Sequence, residues 1–154
     1  MLKILFVCHG NICRSPMAEF VMKDLLKKEG LENEVFVASA ATSFEEIGNP
    51  VHNGTCQKLA EVGISVKGKT AVHMEKSDYG KYDLIIGMDS MNIRNILRII
   101  GSDPENRVAK LLSFADEDGD IADPWYTDNF DETYNDVLKG CKGILKMIKE
   151  KSYR

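Results

Sequence analysis

The most constraining feature of this chain lies at its start. Four consecutive apolar residues, Ile4-Leu5-Phe6-Val7, run into Cys8, and Ser15-Pro16 then opens a helix. A strand that is apolar at every position is buried on both faces, and a parallel sheet covered by helices is the arrangement that buries it. The strand reads as Lys3–Cys8, and the helix as capped by Ser15 with Pro16 in its first position. Met17, Phe20, Val21 and Leu25 give that helix a buried face, and Gly30 stops it.

The alternation continues along the chain. Val35–Ala38 reads as a second strand, and residues 39–53 as a long loop carrying Gly48-Asn49-Pro50. Thr55 to Val62 reads as a short helix, Asp83–Met88 as a third strand, Ser90–Ile100 as a helix and Val108–Leu112 as a fourth strand. Phe130, Tyr134, Val137, Cys141, Ile144 and Ile148 fall on one face of a long C-terminal helix. A length of 154 residues suits one domain, residues 1–154, with a parallel sheet between two helical layers. At 44% hydrophobic and 29% charged residues, such a chain buries enough surface to fold without a disulfide or metal staple.

Charge and cysteine usage exclude several function classes. The net charge is −4, and no positive cluster offers nucleic acid a field to bind. No apolar run approaches the ~18 residues of a membrane span, and the N-terminal run is too short for a secretory leader. The four cysteines contain no Cys-x-x-Cys pair and the three histidines are scattered, so no metal or other cofactor is expected. The expectation is a cytoplasmic protein with free thiols and with no nucleic-acid or membrane partner. Residues 116–136 hold nine acidic side chains and no Lys or Arg, mostly a solvated surface.

Ligands of parallel sheets bind at the carboxyl ends of strands, which directs attention to the first strand-to-helix loop. It reads Cys8-His9-Gly10-Asn11-Ile12-Cys13-Arg14-Ser15-Pro16. A Cys and an Arg with five residues between them are a weak signal alone. Here the Cys ends a strand and the Arg precedes a helix. A loop folded over a helix N-terminus offers backbone N–H groups and a positive dipole end, and so cradles an anion. Gly10 and Asn11 are residue types that tolerate left-handed backbone. A thiol in such a cradle is expected to be held as its anion. Arg14 supplies a fork for two phosphoryl oxygens. Nucleophile, cradle and clamp fit attack on a phosphate ester through a cysteinyl-phosphate. The proton for the leaving oxygen is assigned to Asp123 in Ala122-Asp123-Pro124-Trp125-Tyr126, where two aromatics follow that can flank an aryl ring.

The stretch Val7-Cys8-His9-Gly10-Asn11-Ile12-Cys13-Arg14-Ser15-Pro16-Met17-Ala18-Glu19 resembles the signature of the low-molecular-weight protein tyrosine phosphatases. Three more stretches match in order: Ser39–Ser43 with Ile47-Gly48-Asn49-Pro50, then Met88-Asp89 with Asn92, then Asp123–Tyr126. The resemblance implies a four-stranded parallel sheet in the order 2-1-3-4 with helices on both faces. It also implies a metal-free, two-step hydrolysis of phosphotyrosine in proteins or peptides, with inorganic phosphate as product and competitive inhibitor. By the same resemblance, Cys8 is the nucleophile, Arg14 the phosphate-binding arginine, and Asp123 the acid that later serves as base. Asn11, Ser15 and Ser39 hold the loop and the thiolate. His9, Gly10, Asn11, Ile12, Cys13 and Ser15, with Glu45, Trp125 and Tyr126, form the substrate-binding surface. Cys13 matches a second loop cysteine that in the family forms a reversible disulfide with the nucleophile, which implies redox regulation.

Some positions depart from the family. Glu45 stands where members often place an aromatic, with Phe44 one residue earlier. Glu45 is expected to repel acidic peptides. A histidine of the supporting network is replaced near Lys67–Lys69, and His9 occupies a variable position at the rim. Three alternatives remain. Arsenate reductases of the same fold relay electrons through additional cysteines, and residues 57 to 140 contain none. Phosphoarginine phosphatases resemble Asn-Thr-Cys-Arg in the loop, where this chain has Ile12. Gly63–Thr70 satisfies the nucleotide pattern G-x-x-x-x-G-K-[ST], but a helix precedes it and no capped helix follows.

Overall fold

The computed structural model describes residues 1–150. Strands β1 (Leu2–Cys8), β2 (Val35–Ala41), β3 (Leu84–Gly87) and β4 (Val108–Lys110) form one sheet in the order β2-β1-β3-β4. Every pairing is parallel. Alternation along the pleat explains the uninterrupted apolar run in β1. Ile4, Phe6 and Cys8 face the larger core, where α1 (Arg14–Lys28) contributes Met17, Val21 and Met22, and α6 (Phe130–Glu150) contributes Val137, Cys141 and Ile144. Leu5 and Val7 face the opposite core, with Ile85 of β3 and Ile96 and Ile100 of α4 (Ser90–Ile100). Both faces are therefore covered by helices, as expected of the fold class.

Several boundaries differ from expectation, each for a local reason. α1 begins at Arg14 and its N-cap is Cys13, with no side-chain cap bond. The Ser15 hydroxyl is not a cap, because it is committed to the Cys8 sulfur. β2 extends to Ala41, since it pairs with β1 all the way to Cys8. Ser39–Ala41 therefore belong to the strand and not to the loop. β4 stops at Lys110, where Leu111–Ala115 tightens into a 3₁₀ turn. Two one-turn helices, α3 (Asp78–Lys81) and α5 (Pro124–Thr127), are too short to carry a periodic pattern. α2 spans Asn53–Glu61. The Gly63–Thr70 stretch follows α2 and leads into a bridge between Thr70 and Pro50, so it has neither the preceding strand nor the following helix of a nucleotide loop.

α6 approaches the 3₁₀ turn closely enough to demand glycine. A Cβ at Gly143 would lie 2.0 Å from the Phe114 carbonyl oxygen, and one at Gly140 would lie 2.5 Å from Leu111 Cγ. Backbone cannot yield as a side chain does. Gly143→Ala is thus expected to destabilise the fold by about 1–3 kcal/mol, despite the helix-propensity gain of alanine. Thermal unfolding reads this as a lower Tm. A raised Tm would show that propensity governs the position.

Candidate active site

The loop between β1 and α1 closes around the Cys8 sulfur. Asn11 N–H donates to Cys8 Sγ at 3.3 Å, and Ser15 Oγ lies 3.0 Å from the same atom. Asn11 Nδ2 donates to Ser15 Oγ at 2.7 Å, which leaves the Ser15 hydroxyl hydrogen to point at the sulfur. Asn11 is the keystone. It is buried, its φ is 60°, its Nδ2 also donates to Ser39 Oγ at 2.9 Å, and its Oδ1 accepts from Val72 N at 3.1 Å. Within this loop the left-handed residue is Asn11 and not Gly10. Gly10 instead sits close to the opposite wall, where a Cβ would lie 3.3 Å from Glu46 Cγ.

The loop is stitched to the segment after β2 by backbone bonds. Thr42 N donates to Cys8 O at 3.0 Å, Ser43 N to His9 O at 3.1 Å and His52 N to Ile12 O at 2.8 Å. Behind it, Ser39 Oγ donates to the buried Glu19 at 2.6 Å. Lys69 Nζ donates to Ser39 O at 2.9 Å and stands 3.7 Å from Glu19. Lys69 thus fills the supporting position expected near Lys67–Lys69. Burial lowers its pKa, with the Glu19 charge opposing. This use of Lys69 also accounts for the lysine of the nucleotide-like pattern.

Arg14 is only 3% exposed, and its orientation is imposed from outside the loop. Its Nη1 donates to Asp89 Oδ2 at 2.7 Å and to Ile121 O at 2.8 Å, and its Nη2 lies 3.5 Å from Asp123 Oδ2. Burial opposes its charge, but the Cys8 sulfur and the Asp89 and Asp123 carboxylates outweigh that and raise its pKa further. Asp89 has two tasks, because its Oδ1 caps α4 through Asn92 N at 2.7 Å. Cys13 is buried beside these groups. Burial first, then the charges of Cys8 and Asp123, push its thiol up to about 12. It is a protonated thiol while Cys8 faces the cleft.

Asp123 caps α5 by accepting from Trp125 N at 3.0 Å. The cleft has a volume of about 200 Å³ and is lined by Cys8, His9, Gly10, Ile12, Cys13 and Arg14 on one side. Glu45, Glu46, Asp123, Trp125 and Tyr126 complete its wall. All three residues assigned to catalysis from sequence therefore meet in one cleft, with most of those assigned to substrate binding. Asn11 and Ser15 lie behind the lining rather than in it. His9 and Glu45 face each other across the mouth, Nε2 to Oε2 at 2.8 Å. Phe44 does not line the cleft and stacks on His73 at 3.7 Å. Sequence patterns do not assign Asp89, Glu46, Glu19 or His52 to the site. Asp89 and Glu19 do lie in the stretches that resemble the family, and Asp89 is also an acidic residue at the carboxyl end of an apolar strand; Glu46 and His52 carry no such signal.

The family model described as low molecular weight phosphotyrosine protein phosphatase matches residues 3–154. The chain is 39% identical to the low molecular weight protein-tyrosine-phosphatase YfkJ of Bacillus subtilis, with 97% of each chain covered. It is 37% identical to PtpA of Staphylococcus aureus, a low molecular weight protein-tyrosine-phosphatase, over 96% of this chain and 94% of that one. The crystal structure of YfkJ superposes with a TM-score of 0.94 at 40% identity, covering 98% of this chain and 96% of that one. That of SP-PTP, a low molecular weight protein tyrosine phosphatase from Streptococcus pyogenes, gives 0.85 at 39% identity, covering 95% and 92%.

Proposed function

Because the chain belongs to the low-molecular-weight phosphotyrosine protein phosphatase family, we propose that its cleft hydrolyses phosphotyrosine in proteins, with Cys8 as nucleophile, Arg14 as phosphoryl clamp and Asp123 as acid and then base. The observation that carries this assignment is the convergence of a thiol, a guanidinium and a carboxylate on one cleft of about 200 Å³. That volume suits a single aryl phosphate, with the rest of a substrate protein outside.

In the first step the Cys8 sulfur forms a bond to phosphorus as the phosphorus–oxygen bond to the phenol breaks. Loop N–H groups and Arg14 hold the three remaining phosphoryl oxygens. Asp123 gives its proton to the departing phenol oxygen. In the second step Asp123, now a carboxylate, takes a proton from water as the water attacks the cysteinyl-phosphate. Inorganic phosphate leaves and the sulfur returns to its two hydrogen-bond donors, Asn11 N–H and the Ser15 hydroxyl. Asp89 and the Ile121 carbonyl keep Arg14 in register throughout. Phosphate as product occupies the same cradle and competes with substrate. The free thiols suit a reducing compartment such as the cytoplasm, and no described helix is long and apolar enough to cross a membrane.

Asp123→Asn tests the acid assignment. General-acid help is typically worth about 10²–10⁴-fold and is needed least when the departing phenol is already acidic. The variant is therefore expected to lose far more kcat/KM, which covers the steps up to phenol departure, on phenyl phosphate than on p-nitrophenyl phosphate. Equal losses on both would remove Asp123 from this role.

Charge at the mouth gives a second test. Much of the acidic 116–136 stretch is already paired, with Glu117 on Lys139 at 2.9 Å, Asp120 on Lys110 at 3.1 Å and Asp131 on Lys58 at 2.7 Å. Repulsion of acidic peptides therefore rests on the two carboxylates that line the cleft itself, Glu46 and Glu45, the latter bonded to the His9 ring rather than to a lysine. Phosphotyrosine peptides with basic flanks are expected to show a higher kcat/KM than acidic ones, with the difference shrinking as salt rises. Identical values at low salt would contradict this.

A further inference from the structure

Three contacts of different kinds meet at His52. Its backbone N–H donates to Ile12 O of the phosphate-binding loop at 2.8 Å. Its Nδ1 accepts from Gly54 N at 3.0 Å and so caps α2, which places the ring proton on Nε2. Its ring meets two aromatics, edge-on to Trp125 at 5.7 Å and stacked on Phe130 at 5.5 Å. The packing is exacting: a Cβ at Gly54 would lie 2.2 Å from Phe130 Cζ, so only glycine leaves room for the stacked ring.

The turn that carries Asp123 needs a hold of this kind. Before Asp123 the backbone is tied down, Ile121 N to Met88 O at 2.9 Å and Thr133 Oγ1 to Ala122 O at 3.0 Å. Beyond it, the N–H groups of Tyr126, Thr127 and Asp128 bond to Asp123 O and Pro124 O within the turn itself. Trp125 is 57% exposed, and the imidazole packs against it. Trp125 N in turn bonds Asp123 Oδ1, so a shift of the indole is transmitted to the carboxylate.

We propose that His52 is a positioning residue: its ring clamps Trp125 and thereby fixes the Asp123 carboxylate relative to the loop that its own backbone holds. His52 does not line the cleft and acts through Trp125. This rests on the assignment of Asp123 as the acid. A general acid must lie within hydrogen-bond reach of the leaving oxygen, and a displacement of about 1 Å can cost on the order of 10²-fold.

Two substitutions separate the ring from the cap. His52→Asn keeps a side-chain acceptor for Gly54 N–H but has no ring. His52→Phe keeps a ring and loses the acceptor. Trp125 is the only tryptophan in the chain, so acrylamide quenching of tryptophan emission reads its exposure directly. The chemical readout is kcat/KM on phenyl phosphate against kcat/KM on p-nitrophenyl phosphate, because kcat/KM covers the steps up to phenol departure and leaves out the hydrolysis of the cysteinyl-phosphate that both substrates share. For His52→Asn, quenching is expected to rise, with kcat/KM falling about tenfold on phenyl phosphate and less than about threefold on p-nitrophenyl phosphate. For His52→Phe, the quenching and the ratio of the two rates are expected to stay near wild type. The proposal is overturned if either readout is unchanged in His52→Asn, or if His52→Phe shows the same losses, which would assign the effect to the cap. Asp123→Asn measured in parallel separates the two assignments. A flat leaving-group response there removes the acid role itself, whereas a steep response there with a flat one in His52→Asn removes only the role of His52.

Discussion

Cys8→Ser is expected to abolish turnover of phosphotyrosine peptides, a loss of at least about 10⁴-fold, because the serine hydroxyl has no comparable anionic form at neutral pH. The exchange is nearly isosteric and the site is buried at the end of β1, so the fold is expected to survive. The loop N–H groups and Arg14 are untouched. Inorganic phosphate should therefore bind Cys8→Ser about as well as wild type, which titration calorimetry measures. Lost turnover with retained phosphate binding separates nucleophile from cradle. Substantial turnover by the variant would refute covalent catalysis.

Arg14→Lys is expected to be nearly as severe, lowering kcat by about 10²–10³-fold on aryl phosphates. The guanidinium does two jobs that one ammonium cannot combine. Its Nη1 is held by Asp89 at 2.7 Å and by the Ile121 carbonyl at 2.8 Å, while Nη2 extends toward Asp123. A lysine that follows Asp89 leaves the phosphoryl oxygens, and one that follows the phosphoryl group leaves a partly buried carboxylate without its partner. Steady-state kinetics with circular dichroism as a fold control reads the outcome. A near-wild-type kcat would mean that Arg14 is only a structural ion-pair partner.

Much of this architecture is legible in the amino-acid sequence. The apolar run of β1 has no stable home except a sheet covered on both faces, and Cys8, Arg14 and the start of α1 follow it within one short loop. Contacts over long sequence separations are not legible there. Nothing in local pattern places Asp89 against Arg14, since the pair forms only because β3 lies beside β1 and both strands end at the same edge. The same holds for Lys69, whose ammonium crosses to Ser39 and Glu19. Ser15 has the residue type of a cap and the right place before Pro16, yet its hydroxyl is claimed by a sulfur seven residues earlier. His52 carries no signal at all. Histidine is not a favoured cap, and its aromatic neighbours come from a different part of the chain.

The central claim is that phosphotyrosine is hydrolysed through a phosphoryl group carried on Cys8. Rapid acid quench during turnover of a phosphotyrosine peptide, followed by proteolysis and mass spectrometry of the protein, tests this most directly. The phosphoryl group is expected on the peptide that spans Cys8 and on no other, with Asp123→Asn still showing it. Product release without any protein-bound phosphoryl group, or a phosphoryl group on a different residue, would contradict the account.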